Sequence, residues 1–406
     1  LILQFTMKQI KLLIVYLILT VPSKSQKRNI GNFSTIDAKA LKIPDSLTKT
    51  TDGISKYIVQ NFSTDREKTR AIFIWLANNI EYDIANMFVI NFYESKEDRI
   101  NKVLHSRKGI CINYAAIFNE ICIKSGIKSF VIEGYTKQNG FVEYLPHAWC
   151  AALIDTTWYM FDPTWGSGYI DRGEFVKRVN NEYFMTKPSN LIKTHMPFDY
   201  LWQFLNHPIT NQHFFEGKTF QIKSTPYFNF IDSIKLHETQ HRIDQLVSSS
   251  YRIEKNGVKN PLIFDKLYRT KLEIENLKLE MENERINKNI NLYNAAVENH
   301  NDAINNFNAF LQYRNKKFKP IKSDDAIQKM IDTVTSIIKE ANLKLIQIKN
   351  PDKNLELLIA QLNKSINSLS IYVKEEQDWL IKYFSKSKEE RHSMFYEKKA
   401  TSVFSQ

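Results

Sequence analysis

The stretch RKGICINYAAIFNEICIKSGI, Arg107 to Ile127, decides how this chain is read. It opens on two basic residues and Gly109, sets Cys111 at a turn, and then becomes helical. Ala115, Phe118, Cys122 and Ser125 follow at spacings of three and four, the period of a helix laid on a core. Gly126 suits the left-handed conformation at a helix end. Cys111 is therefore expected at or just before a helix N-terminus, where unpaired N–H groups and the positive end of the macrodipole favour an anion. A thiol in such a place loses its proton more easily, and the thiolate is the nucleophile.

Upstream, Asp65 to Ile80 predicts a helix capped by Thr64 or Asp65, with Ala71, Ile72, Trp75, Leu76 and Asn79 on one side. A further helix is expected from Asp45-Ser46 through Val59, and a loop from Ile84 to about Asp98. Downstream the pattern changes to strands. Ser129 to Tyr135 is β-rich, Lys137 to Gly140 is a turn, and Glu143 to Ile154 is mostly apolar, as in a strand buried on both faces. Asp155-Thr156-Thr157 turns the chain, and Trp158 to Phe161 returns as a hairpin partner ending at Asp162-Pro163. Helices followed by an antiparallel sheet predict an α+β domain.

Cysteine catalysis needs a base for the thiol proton and a third group to orient that base. His147 opens the apolar strand, on the same face as Trp149 by two-residue alternation. Asp162 ends the returning strand, so the hairpin brings the two together. An Asp oxygen at one imidazole nitrogen would leave the other nitrogen for Cys111, the logic of a Cys-His-Asp triad. Each residue alone reads more simply: a core cysteine, a structural histidine, an Asp-Pro turn signal.

Four ordered motifs carry a resemblance. They are Arg70-Ala71-Ile72 through Trp75 with Asn79-Ile80-Glu81-Tyr82-Asp83, then Lys108 to Ala115, His147-Ala148-Trp149, and Phe161 to Gly166. The chain resembles the transglutaminase-like superfamily, with its papain-like fold, in the branch of kyphoscoliosis peptidase and related cytokinesis proteins. A tail like Tyr183-Phe184 to Leu205, with His195, Pro197 and Trp202-Gln203, resembles that branch too. The resemblance spans roughly Asp65 to Phe230 and implies Cys111 as nucleophile, His147 as base and Asp162 as orienting acid. Tyr82 is the candidate second oxyanion donor beside the Cys111 N–H; a packing tyrosine is the simpler reading. Asn113 stands where many relatives carry glycine and is expected to act on local packing. The superfamily acts on amide carbonyls through a thioester, which water hydrolyses and an amine converts to a cross-link.

From Ile231 onward glycine nearly vanishes and Asn, Lys, Glu, Ile and Leu dominate. A helix is expected from Ile231 to Lys255, broken by Gly257 and Pro261, then a long one to about Asn315. Ile286, Ile290, Tyr293, Val297, His300, Ile304, Phe307 and Leu311 form a heptad seam in which His300 reads as a tolerated polar core residue. Ile327 to Ile348 and Leu355 to Val373 form two more, so an antiparallel helical bundle or hairpin arm is expected. The resulting division is a signal peptide over 1–25, a lead-in over 26–60, the transglutaminase-like domain over 61–230, and the helical domain over 231–406.

Met7 to Gln26 supplies the leader: Lys8 and Lys11, a short apolar run from Leu12 to Val21, then Pro22 and small residues. The run is too short to cross a bilayer, so no stable span is expected after cleavage, and the setting is secreted or periplasmic. Hydrophobic residues make up 43% and charged residues 25% of 406, an ordinary globular balance. The formal charge of +12 is spread through helices and reads as solvated faces. No zinc-finger spacing, RNA-binding signature or phosphate loop points to nucleic acid. No Asp/Glu cluster reads as a calcium loop, so neither metal nor cofactor is expected. Three cysteines are too few for a disulfide scaffold; Cys122 and Cys150 read either as a pair or as small core residues.

Two functions follow as expectations: an enzyme transferring acyl groups from protein or peptide amides, or a silent scaffold whose helical arm engages a protein partner. A self-associating coiled coil is a third reading of the helices.

Overall fold

Nine positions of one helix, Asn113 to Asn119 with Ile121 and Cys122, are buried, and such a helix belongs at the centre of a domain. In the computed structural model, which describes residues 33–88, 94–220 and 225–396, this helix is α5 (Cys111–Lys124). Before it come α1 (Ser34–Ala40), α2 (Thr51–Asn61), α3 (Asp65–Asn79) and α4 (Lys96–Ser106). It packs against α2, α3 and α4 and against strands β3 (Ser129–Gln138) and β4 (Phe141–Ile154). Thr64 and Glu67 cap α3 reciprocally, and Gly126 leaves α5 at φ +83° as expected. The expected leader lies outside the described residues.

The sheet runs β5-β4-β3-β8, all antiparallel, with β5 at Thr157–Phe161 and β8 at His195–Pro197. Two short strands, β1 (Glu81–Tyr82) and β2 (Lys108–Gly109), pair in parallel and latch the end of α3 to the residues just before Cys111. A small hairpin, β6 (Gly168–Asp171) and β7 (Glu174–Lys177), follows Asp162. Helices packed with an antiparallel sheet make the α+β transglutaminase-like architecture that the sequence predicts.

Several expectations are corrected. The helix expected from Asp45 is a single turn at Asp45–Leu47 followed by α2, because Thr50 caps a new start with its side chain on the Gly53 N–H. The loop expected to about Asp98 ends at Ser95, and the segment after it, left without an element by the sequence, is α4, capped by Ser95 and buried through Ile100, Val103 and Leu104. The helix expected from Ile231 to Lys255 is two, α8 (Phe230–Thr239) and α9 (Arg242–Lys255); Gln240 and His241 turn extended without glycine or proline. Between them in number and β7 lie the short α6 (Pro188–Leu191) and α7 (Asn211–Phe215).

The domain limits also shift. The chain divides into compact units at Ile274/Glu275, not at Ile231. Ile234 joins Trp149, Leu201 and Phe204 in one cluster, while Ile253, Ile263 and Leu267 join Tyr135, Phe198 and Phe214 in another. Arg252 grips Asp199 with two bonds of 2.7 Å, both side chains nearly buried. Packing and charge therefore hold residues that composition assigns to the helical domain. Arg252→Met is expected to cost the first unit about 3 kcal/mol, since it strands a buried carboxylate. Urea unfolding measures this, and Asp199→Asn in the same chain should restore part of it.

The lead-in is likewise integral. Arg70 on α3 is buried and takes both Asp37 oxygens at 2.7 Å and Asn181 Oδ1 at 2.6 Å. Its guanidinium lies 4.9 Å from the ring centres of both Phe33 and Phe184.

The second unit, residues 275–406, contains the later part of α10 (Pro261–Asn315), α11 (Asp324–Ile346) and α12 (Lys353–Phe384). The seams of α11 and α12 are buried as expected, though Leu355 and Ile359 only in part. That of α10 keeps His300 and Phe307 but elsewhere shifts to the neighbouring Asn289, Ala296, Ala303 and Phe310, which are buried, while Ile290 is exposed. Small alanines let the helices approach closely, and the larger Tyr293, Val297, Ile304 and Leu311 flank the line. His300 is bonded to Ser365 Oγ at 3.0 Å, and burial lowers its pKa, so it sits neutral in the seam. No described helix is long and apolar enough to cross a membrane.

Candidate active site

Cys111 is the first residue of α5 and is partly exposed. Its neighbours shape that corner. Asn113 Oδ1 accepts the Ile110 N–H at 2.8 Å, satisfying one donor that a helix start leaves open. A Cβ on Gly109 would come within 2.9 Å of Asn113 Cβ, so Gly109 makes room for the asparagine. Asn113 thus acts locally, as expected. Tyr114 ties α5 to the end of α3 through a 2.8 Å bond from its hydroxyl to the Ile80 carbonyl.

His147 lies on β4 opposite Gly134 of β3. Its Nε2 is 2.8 Å from Asp162 Oδ2. Cys111 lies near enough to this imidazole to raise its pKa, and its Sγ lies 4.0 Å from the Pro146 carbonyl oxygen. With Nε2 given to Asp162, Nδ1 is the nitrogen left for the thiol. The structure therefore joins His147 to Asp162 and sets Cys111 near the same imidazole.

Asp162 is fully buried and accepts four bonds. Oδ1 takes the N–H groups of Thr164 at 2.9 Å and Trp165 at 3.1 Å, the local turn that Asp-Pro-Thr-Trp sets up. Oδ2 takes Nε2 of His147 at 2.8 Å and Nε2 of His195 at 3.0 Å. Burial pushes the Asp162 pKa up, but the charge and bond of His147 and the bond of His195 outweigh it and hold the carboxyl below its usual range. Burial opposes a proton on His147, yet Asp162 and then Cys111 raise its pKa to about 10. Asp162 thus favours a proton on His147, and His147 favours the ionised Asp162.

His195 is the group whose role the sequence left unassigned. It stood in the resembling tail, but nothing near it in the chain pointed to Asp162, 33 residues away. Burial lowers its pKa more than Asp162 raises it, so it is neutral. Trp165 and Trp149 meet its ring edge-on at 4.6 and 5.1 Å.

His147, Asp162 and His195 are grouped closely enough to ligate a metal. Every lone-pair direction of the carboxylate is already taken by an N–H donor, however. A cation would have to displace two of those protons, so the donor set suits proton sharing.

Tyr82 sits on β1, paired with Gly109 two residues before Cys111. Burial, and then charge at Cys111, Glu143 and Asp162, raise its pKa, so its hydroxyl stays a donor. Its ring also packs 6.3 Å from Phe175, so the simpler packing role is present as well. Cys122 and Cys150 are free and buried; Cys150 donates to the Ala115 carbonyl at 3.2 Å, and burial raises both thiols.

Residues 52–163, which contain Cys111, His147 and Asp162, match the transglutaminase-like superfamily. The chain carries a transglutaminase-like domain. It is similar to kyphoscoliosis peptidase of Homo sapiens, at 31% identity over 193 residues covering 46% of this chain and 28% of that protein. It is similar to hillarin of Drosophila melanogaster at 24% over 202 residues, covering 45% and 24%. Cytokinesis protein 3 of Saccharomyces cerevisiae shares 23% over 144 residues, covering 34% and 16%. The chain thus spans less than a third of the length of these relatives. They fall in the branch whose motifs the sequence resembles. In this transglutaminase-like domain His195 lies beyond the matched residues.

Proposed function

We propose that this chain is a cysteine acyl-transfer enzyme acting on protein or peptide amides through a thioester at Cys111. The carrying observation is the 2.8 Å bond from His147 Nε2 to Asp162 Oδ2, with Cys111 at the start of α5 beside the same imidazole. In this reading a protonated His147 beside the thiol favours the thiolate. Its sulfur attacks the amide carbonyl carbon, and the carbonyl oxygen takes the electron pair. The Cys111 N–H at the start of α5 and the Tyr82 hydroxyl are the candidate donors to that oxyanion. His147 then gives its proton to the leaving nitrogen, the C–N bond breaks, and a thioester remains. Water or an amine attacks the thioester, His147 takes the incoming proton, and the C–S bond breaks to return Cys111. Asp162 holds the imidazole in the tautomer that serves both steps.

The leader-like segment Met7 to Gln26 supports a secreted or periplasmic setting. The match to a superfamily containing proteases and transglutaminases supports a protein or peptide substrate, with either water or an amine as acceptor. The test is activity profiling against glutamine–amine pairs and a peptide library, with Cys111→Ala as control. Turnover lost in that variant is the expected result. A folded wild type that turns over nothing would favour the scaffold reading, in which the helical unit engages a protein partner.

A further inference from the structure

The acid of this site serves two imidazoles, and the reaction above uses one. His195 enters from β8, on the far side of β3 from the strand that carries His147. Its Nε2 reaches the same oxygen, Oδ2 of Asp162, that receives His147. Its Nδ1 lies 2.8 Å from Thr194 Oγ1. For a neutral ring the hydroxyl then donates to Nδ1, and Nε2 carries the hydrogen given to Asp162.

Packing alone does not call for this arrangement. An apolar ring would fill the space between Trp149 and Trp165, and His147 already satisfies Oδ2. Burying a second imidazole costs free energy unless both its nitrogens are bonded, and here both are. What the second donor changes is the acceptor. Two N–H groups on one oxygen share its charge, so each is bound less tightly than it would be alone. They also fix the carboxylate plane from one edge, while the Thr164 and Trp165 N–H groups fix it from the other.

We propose that His195 is a positioning residue which, through the shared Oδ2 of Asp162, sets the carboxylate against His147 and moderates how firmly His147 holds its proton. The proposal rests on the acyl-transfer reading for its purpose, since a base that never releases its proton cannot serve a leaving amine. Its structural content stands without that reading. His195 itself touches neither the thiol nor a reacting atom in this scheme.

The test compares His195→Phe, which keeps a ring and loses the donor, with His195→Gln, which keeps an N–H near the same place. The readout is the His147 ring titration by NMR, which needs no substrate, together with kcat and KM on whichever substrate the wild type turns over. His195→Phe is expected to tighten the His147 proton by about three- to tenfold, an upward shift of about half to one pH unit. It should lower kcat with KM little changed, and His195→Gln should lie close to wild type in both. Thr194→Val, which unties Nδ1 and a longer 3.3 Å bond to the Leu191 carbonyl, should move the titration less and in the same direction, and it decides the matter if His195→Phe does not fold. An unmoved or downward titration in His195→Phe, or in Thr194→Val where that variant stands in for it, overturns the proposal, as does an equal shift for Phe and Gln. A wild type without turnover counts against the enzyme reading alone, because the titration still reports on His195.

Discussion

Asp162→Asn is expected to lower kcat for amide acyl transfer by about 10³- to 10⁴-fold with KM little changed. The asparagine oxygen can keep the Thr164 and Trp165 N–H groups. Its amide nitrogen then faces His147 Nε2 and His195 Nε2, where two donors already stand. One imidazole must turn or change tautomer, and the proton moves to the nitrogen that should face Cys111. With the carboxylate charge gone, burial dominates and the His147 pKa should fall from about 10 to below its usual 6.5. Steady-state kinetics and the ring titration measure both effects; a loss under tenfold would remove Asp162 from the scheme. The wild-type pair also stabilises the fold. A raised His147 contributes fully below pH 6.5 and loses this as pH climbs through about 10. A depressed Asp162 contributes above its usual 3.8 and loses this in stronger acid. Together they contribute most between those two ordinary values.

Gly134→Ala is expected to cost about 3 kcal/mol, the upper part of the range for overpacking. A Cβ there would lie 2.1 Å from the Met196 carbonyl oxygen and 2.6 Å from Trp149 Cη2. The first contact is backbone and cannot swing away, so β8 must part from β3. That movement would carry His195 off Asp162, so the His147 titration should change along with the urea midpoint. A cost under 1 kcal/mol would mean that β3 and β8 are not held so closely.

The sequence made the central helix and the hairpin legible because their signals are local. Asp155-Thr156 punctuates two apolar runs, Gly126 ends a periodic one, and the hairpin alone brings His147 to Asp162. The unread parts depend on contacts made far along the chain. Helix α4 shows few apolar positions, so the sequence leaves Ile100, Val103 and Leu104 without an element until α5 covers them. The break at Gln240-His241 carries no glycine or proline. In α10 two neighbouring registers both offer apolar residues, and alanine won because it allows closer approach. His195 was present in a familiar tail, yet only the sheet order shows which acid it serves. The boundary near Ile274 was hidden for a similar reason: composition records what a helix is made of, not what its side chains grip.

Arg70 adds a consequence for where such a domain can be cut. The family match runs from residue 52 to residue 163, and Arg70 lies within it. Its counter-charge, Asp37, and one of its aromatic neighbours, Phe33, lie before the match; Asn181 and Phe184 lie after its end. Transplanted alone, the shared segment would carry a buried cation stripped of everything that makes its burial tolerable. A piece cut at residues 52 and 163 is therefore shorter than what can stand by itself, and in this chain the flanks on both sides make up the difference.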